Sequence, residues 1–226
     1  MQIKYLGHSS FKIKGKTYSG KEVTIITDPF NPESVGKFKY PKQDANIVTL
    51  SHTTHKDHNA IENINGESPK DYILLDTPGE YEIKDLIVNG IKSYHDDKQG
   101  TERGKNTIFV YDFEEARVMH LGDLGHKLTN EQLDELEEDI DILIIPVGGH
   151  STIDAKTAVD VIEQIEPAIV IPMHYKTDAH SAEYNELTTV DEFISKMGTT
   201  PERVPDFTLK AHKDLPGELT ILVFEK

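Results

Sequence analysis

Residues 51–58 read Ser-His-Thr-Thr-His-Lys-Asp-His, so His52, His55, Asp57 and His58 crowd together directly after the apolar run Ile47-Val48-Thr49-Leu50. Neutral imidazole is the commonest side-chain ligand for zinc-like ions, and a carboxylate adds a hard oxygen that also suits manganese or iron. The cluster therefore predicts a metal site just past a strand. The bland alternative is a polar loop that gathers several of the chain's 11 histidines by chance.

Other candidate ligands follow in order. Asp28 stands in Thr27-Asp28-Pro29, His95 in Tyr94-His95-Asp96, Asp123 in His120-Leu121-Gly122-Asp123 and His174 in Ile171-Pro172-Met173-His174-Tyr175. The cluster resembles the His-x-His-x-Asp-His signature of the metallo-β-lactamase superfamily, and the later motifs keep the family's order. Leu6-Gly7-His8-Ser9-Ser10-Phe11 and Pro146-Val147-Gly148-Gly149 further resemble the UlaG-like metal-dependent hydrolases, the branch related to an ascorbate phosphate lactonase.

The resemblance implies an α/β fold, the four-layer αββα metallo-β-lactamase sandwich, with residues 1–226 as a single hydrolase domain. It implies two divalent metal ions, zinc first and manganese or iron also admitted, that activate water. One ion would take His52, His55 and His95. The other would take Asp57, His58 and His174, with Asp123 bridging, and Asp57 and Asp123 are the carboxylates expected to serve catalysis. The chain has no cysteine, which excludes disulfides and the thiolate that some members place at the second metal. Asp123 is left to carry that role.

One departure from the signature matters. Its first two histidines stand two apart, whereas His52 and His55 are three apart, and alignment on Asp57 and His58 puts Thr53 in the first slot. In an extended segment residues i and i+3 face opposite sides. His52 thus reaches the site only if the chain bulges or turns, and a bulge is favoured here; otherwise the first site is depleted.

The remaining residues divide by chemistry. His8 either lines the site or makes a hydrogen bond in the core, and Asp28 fits a residue that orients the cluster loop better than a ligand. His120 reads as structural. Arg103 and Lys176 are candidates to meet an anionic substrate group, and His126 and His150 to border the cleft, either binding substrate or remaining solvated loop histidines. His180 and His212 receive no role.

The formal charge of −16 argues against a nucleic-acid partner, because such binding rests on Lys and Arg neutralising phosphates. Two divalent ions would still draw a small anion locally. With no apolar run near 18 residues and no charged-then-apolar leader, neither a membrane span nor a secretory signal is expected, and a cytoplasmic enzyme is. An oligomer is not excluded.

The positioning elements are legible as a strand-rich first half and an alternating second half. Residues 3–6, 10–14, 23–27, 47–50, 72–75, 86–88, 107–111 and 117–121 read as strands. Thr129-x-x-Gln132 fits a capping box with Leu128 and Leu133 as its staple. The run 140–147 suits a buried strand, 155–165 carries apolar residues at helical spacing, and 168–172 is the strand that delivers His174. A helix over 190–197, opened by Thr189 and Glu192 and closed by Gly198, precedes a last strand at 219–224. Residues 176–188 and 199–216 read as polar loops. The functional expectation is hydrolysis of a small anionic lactone or phosphodiester. A non-catalytic metal-binding or sensor module that retained the fold is the alternative, supported by the His52 offset.

Overall fold

The structure is a computed structural model that describes residues 1–65 and 71–225. Alternation along Gln2–Gly7 (β1) and Ser10–Lys16 (β2) turns Ile3, Tyr5, Phe11 and Ile13 to one buried face, in antiparallel register with Ile3 opposite Ile13 and Tyr5 opposite Phe11. Glu22–Thr27 (β3) completes the meander, and the short strands Ile47–Thr49 (β4) and Ile73–Leu75 (β5) then add in parallel.

The second sheet begins with the antiparallel strands Gly79–Ile83 (β6), Leu86–Tyr94 (β7), Lys105–Asp112 (β8) and Arg117–His120 (β9). It continues in parallel through Ile142–Pro146 (β10) and Ile169–Met173 (β11) to Thr220–Phe224 (β14), with Glu202–Val204 (β12) at its edge. Phe207–Thr208 (β13) leaves that neighbourhood to pair with β1 on the first sheet.

The core lies between the sheets. Phe11, Ile13, Ile25 and Ile47 meet Phe109, Tyr111, Ile142, Ile144, Ile169 and Ile171, all essentially dry. Strand β10 is buried on both faces, because Leu143 and Ile145 point outward under Ala155–Ile165 (α3) and Val190–Met197 (α4). This is why its sequence is a continuous apolar run rather than an alternation. Asp154 caps α3 by accepting from Thr157 N at 2.8 Å, a contact of about 1 kcal/mol.

The sandwich differs from the expected four layers in one respect. Ile26, Val48 and Leu50 on the outer face of the first sheet are covered by Ile64 and Tyr72. Among the described residues the helical part of that layer is short, as in the single turn Pro32–Val35 (α1) and the 3-10 turn at Ile61–Asn63. The second outer layer, with α3, α4 and the short Asn130–Asp134 (α2), carries most of the helix.

Most of the expected elements form, with four corrections. Strand β6 is missing from the sequence reading. It joins β7 through Lys84 and Asp85, both at positive φ, where Asn-Gly or Asp-Gly is the usual signal for such a two-residue turn. The Thr129–Gln132 capping box is present, but α2 ends after five residues. Thr189 occupies the N-cap of α4 without donating or accepting a side-chain cap bond. The 199–216 segment holds the edge strands β12 and β13, too short and polar to show a period.

Candidate metal centre

Six strands deliver their C-terminal ends to one rim of the sandwich. His8 follows β1, Asp28 follows β3, the 51–58 loop follows β4, His95 follows β7, Asp123 follows β9 and His174 follows β11. Functional side chains on loops held by a rigid scaffold are the usual arrangement. Here the scaffold is the interface of the two sheets.

His52, His55 and His95 each offer a nitrogen within 4.8 Å of the others. His52 and His95 are buried and His55 is exposed. The route by which His52 arrives corrects the expectation: there is no bulge. Strand β4 ends at Thr49, and the chain turns, closed by His58 N donating to His55 O at 3.3 Å and Asn59 Nδ2 donating to Thr53 O at 2.6 Å. Outside a strand the i, i+3 face rule no longer applies, so the offset spacing does not keep His52 from His55 and His95.

Asp123 stands at the centre. Its Oδ2 lies 3.2 Å from His58 Nε2, 3.2 Å from His95 Nε2 and 3.7 Å from His174 Nε2. Burial alone would raise its carboxyl, but His58, His174 and His95 outweigh that and hold it well below the usual carboxylate range. The reverse holds at His58, where burial is outweighed by Asp123, Asp28 and Asp57, pushing the imidazole up to about 10. At His52 burial wins, and the ring falls to about 4.

Asp28 orients the cluster as expected. Its Oδ1 accepts from Ser51 N at 2.7 Å, and its Oδ2 accepts from Ser51 Oγ at 2.8 Å and lies 3.4 Å from His58 Nδ1. That contact directs the other nitrogen of His58 to Asp123, an arrangement typical of metal-binding histidines. Asn106 was not singled out from the sequence, yet its Oδ1 accepts from Asp123 N at 2.9 Å while its amide donates to Leu121 O. Two glycines permit the close packing. A Cβ on Gly122, at φ +56°, would lie 2.3 Å from Ser51 Cβ, and one on Gly148 would lie 2.1 Å from His174 O.

Asp57 is half-buried and belongs to none of the clusters of mutually close donors. Its Oδ2 accepts from Tyr184 Oη at 3.0 Å and stands 4.0 Å from His8 Nε2. His8 is buried, with its ring 4.2 Å from that of His174 and 5.1 Å from that of His58. Its neighbour His180, given no role from the sequence, approaches its Nδ1 at 3.2 Å.

The donor set fits a cation. Among the described residues, His52 Nε2, His58 Nε2, His95 Nδ1, His174 Nδ1 and Asp123 Oδ1 are buried without a hydrogen-bond partner. Buried polar atoms are normally satisfied, and an absent ion is one of the standard reasons for an exception.

Neither His126 nor His150, of the four residues expected to meet substrate, joins the close donor clusters. His126 accepts from Tyr94 N through Nε2 at 3.2 Å and donates to Lys127 O through Nδ1 at 2.6 Å, so both its nitrogens are engaged by backbone. His150 is exposed and pairs with Glu186 at 2.8 Å. Lys176 Nζ donates to Ser181 O at 3.1 Å and Asn185 Oδ1 at 2.8 Å. Arg103 lies exposed on the loop after His95, which is wound around Asp96: its Oδ1 accepts from Lys98 and Gly100 N, and its Oδ2 from Glu102 and Arg103 N. His120 is structural, donating from Nε2 to Ser9 O and accepting at Nδ1 from Gly122 N.

Two packed sheets whose strand ends converge on a buried imidazole and carboxylate cluster define a metallohydrolase sandwich. Comparison with known proteins agrees. The β-lactamase superfamily domain matches residues 2–174. A UPF0173 metal-dependent hydrolase of Staphylothermus marinus is 31% identical over 225 residues, covering 89% of this chain and 93% of the relative. Another from Natranaerobius thermophilus is 30% identical over 228 residues, covering 89% and 99%. A solved structure from Thermotoga maritima, assigned to the Zn-dependent hydrolases of the metallo-β-lactamase superfamily, superposes with a TM-score of 0.76 at 33% identity, covering 99% of this chain and 98% of that one. The chain belongs to the metallo-β-lactamase superfamily and is a metal-dependent hydrolase within it. Among the described residues no helix is long and apolar enough to cross a membrane.

Proposed function

We propose that the protein hydrolyses a small anionic lactone or phosphodiester at a dinuclear centre. His52, His55 and His95 hold one ion, His58 and His174 with Asp57 hold the other, and Asp123 serves both. The observation that carries this reading is the position of Asp123 Oδ2, 3.2 Å from a histidine of each set. A pair of divalent ions, zinc first, supplies Lewis acidity and brings the pKa of water to roughly 7.

The chain's own residues supply the rest. Asp28 fixes the ring of His58, and Asn106 fixes the backbone of Asp123. Burial of His52, His58, His95, Asp123 and His174 keeps competing water from these donors, which strengthens every charge interaction made there. Arg103, exposed on the Asp96-wound loop, remains the candidate to meet an anionic group on the substrate. The UlaG-like motifs support a lactone or phosphodiester over a β-lactam. The His52 offset that favoured a sensor module loses its weight, because His52 is brought to His55 and His95 by the turn.

The test is turnover of a lactone, a phosphodiester and an ester panel by protein loaded with zinc, manganese or iron. Activity should rise through an apparent pKa of roughly 7 and then flatten. Metal-loaded protein that turns over none of the panel would reject this reading in favour of the sensor module.

A further inference from the structure

His8 stands close enough to His58 and His174 for the three to form a ligand triad by distance alone. Its tautomer says otherwise. The backbone N–H of Thr177 donates to His180 Nδ1 at 3.1 Å, so that nitrogen is an acceptor. A neutral imidazole with an acceptor Nδ1 carries its proton on Nε2. His180 Nε2 is 3.2 Å from His8 Nδ1, so His180 donates and His8 accepts. By the same rule His8 carries its own proton on Nε2, the nitrogen that faces the site.

That N–H has no hydrogen-bond partner among the described residues. His8 Nε2 is fully buried and unsatisfied, and the carboxylate it faces, Asp57 Oδ2, is 4.0 Å away, too far for a hydrogen bond. Asp57 is itself occupied by the Tyr184 hydroxyl. The position of His8 is also enforced by the backbone. It sits at φ 54°, a conformation disfavoured for a residue with a Cβ, locked by its carbonyl accepting from Tyr5 Oη at 3.0 Å and His174 N at 3.1 Å.

We infer that His8 is a catalytic hydrogen-bond donor and not a metal ligand: its Nε2–H, set by the Thr177–His180 relay, donates to the substrate oxygen on which negative charge grows beside His174. His180 is a positioning residue that fixes this tautomer. The inference rests on the hydrolase reading for its substrate, but the direction of the His8 proton can be tested without any substrate. Preorganised donors of this kind are worth on the order of 100- to 1000-fold in turnover.

The experiment has two arms. Long-range proton–nitrogen NMR of wild-type protein labelled in histidine, with His8 assigned by the signal lost in His8→Gln, should show Nε2 protonated before and after zinc is added. A bare Nε2, or one shifted to a zinc-bound position, would overturn the inference. In the second arm, elemental analysis and bis-para-nitrophenyl phosphate turnover are compared across variants. His8→Ala should retain the wild-type ion content and lose about 100-fold or more in kcat, with His8→Gln, whose amide can donate, recovering part of it. His180→Leu should lower kcat while leaving the ions in place. Loss of an ion in a folded His8→Ala protein would make His8 a ligand and overturn the proposal. Wild-type protein that binds zinc but cleaves nothing would reject the hydrolase reading instead, and the NMR arm would still decide the role of His8.

Discussion

The Tyr184 hydroxyl donates a 3.0 Å hydrogen bond to Asp57 Oδ2 across 127 positions of sequence. The 3-10 turn Ala182–Tyr184 that carries it is held at both sides by one ammonium, Lys176 Nζ, bonded to Ser181 O and Asn185 Oδ1. Lys176 therefore reaches the site through Tyr184, as a brace for the turn that supports Asp57.

Tyr184→Phe removes this donor while keeping the ring that packs on His8 and His180. A hydrogen bond to a charged acceptor contributes roughly 1.5–3 kcal/mol. If Asp57 takes part in turnover, kcat should fall about 10- to 100-fold with unchanged ion content. Wild-type kcat in the variant would remove Asp57 from the chemistry.

Arg103 and Lys176 should separate kinetically. Arg103→Glu leaves the Asp96-wound loop intact, since Arg103 contributes its backbone N–H to that winding. It should raise KM for an anionic ester more than for a neutral one. Lys176→Met should impair both substrates alike, because it loosens the turn and not a substrate contact. Equal effects of Arg103→Glu on the two substrates would deny Arg103 its role.

Asp28→Asn keeps the shape of the side chain but removes the charge that faces His58 and the Ser51 hydroxyl. Supporting residues of this type typically contribute 10- to 100-fold to metal affinity or activity. Chelator competition should show weakening on the order of 10-fold or more. An unaltered affinity would mean that His58 is oriented by packing alone.

How much of this was legible beforehand depends on the range of the signal. The bounds of α3 follow from local apolar spacing, those of α4 from the flanking Thr189 and Gly198, and β10 from its uninterrupted apolar run. Strand β6 was not legible because Lys84-Asp85 gives no glycine at its turn, and β12 and β13 are too short to show a period. The clustering of His52, His55 and His58 is a local pattern, and Asp123 and His174 follow from motif order. His180, Asn106 and Tyr184 act across long separations and carry no local mark. Nor does the sequence distinguish a free loop histidine from His126, whose two nitrogens are engaged by the backbone of Tyr94 and Lys127.

Gly148→Ala tests the same dependence on distance. The added Cβ would stand 2.1 Å from His174 O, so the Val147–Gly149 turn or the His174 backbone must move. Overpacking of this kind costs typically 1–3 kcal/mol. A lower thermal midpoint together with weakened ion binding is expected, and a change in neither would show that the rim tolerates displacement.

Asp123 is the residue on which the proposed centre depends most. It is the only carboxylate among the described residues in the close donor clusters, and with Asp28 and Asp57 it outweighs the effect of burial at His58. Asp123→Ala should release metal and abolish hydrolysis, because the imidazoles lose their shared anion. Removing one partner of a buried charged pair also destabilises by roughly 3–5 kcal/mol, so Asp123→Asn, close in shape, is the companion variant. It should fold, as judged by circular dichroism, and still bind fewer ions than wild type by elemental analysis. Full ion content in either variant would sink the assignment of Asp123 as the residue shared by the two sites.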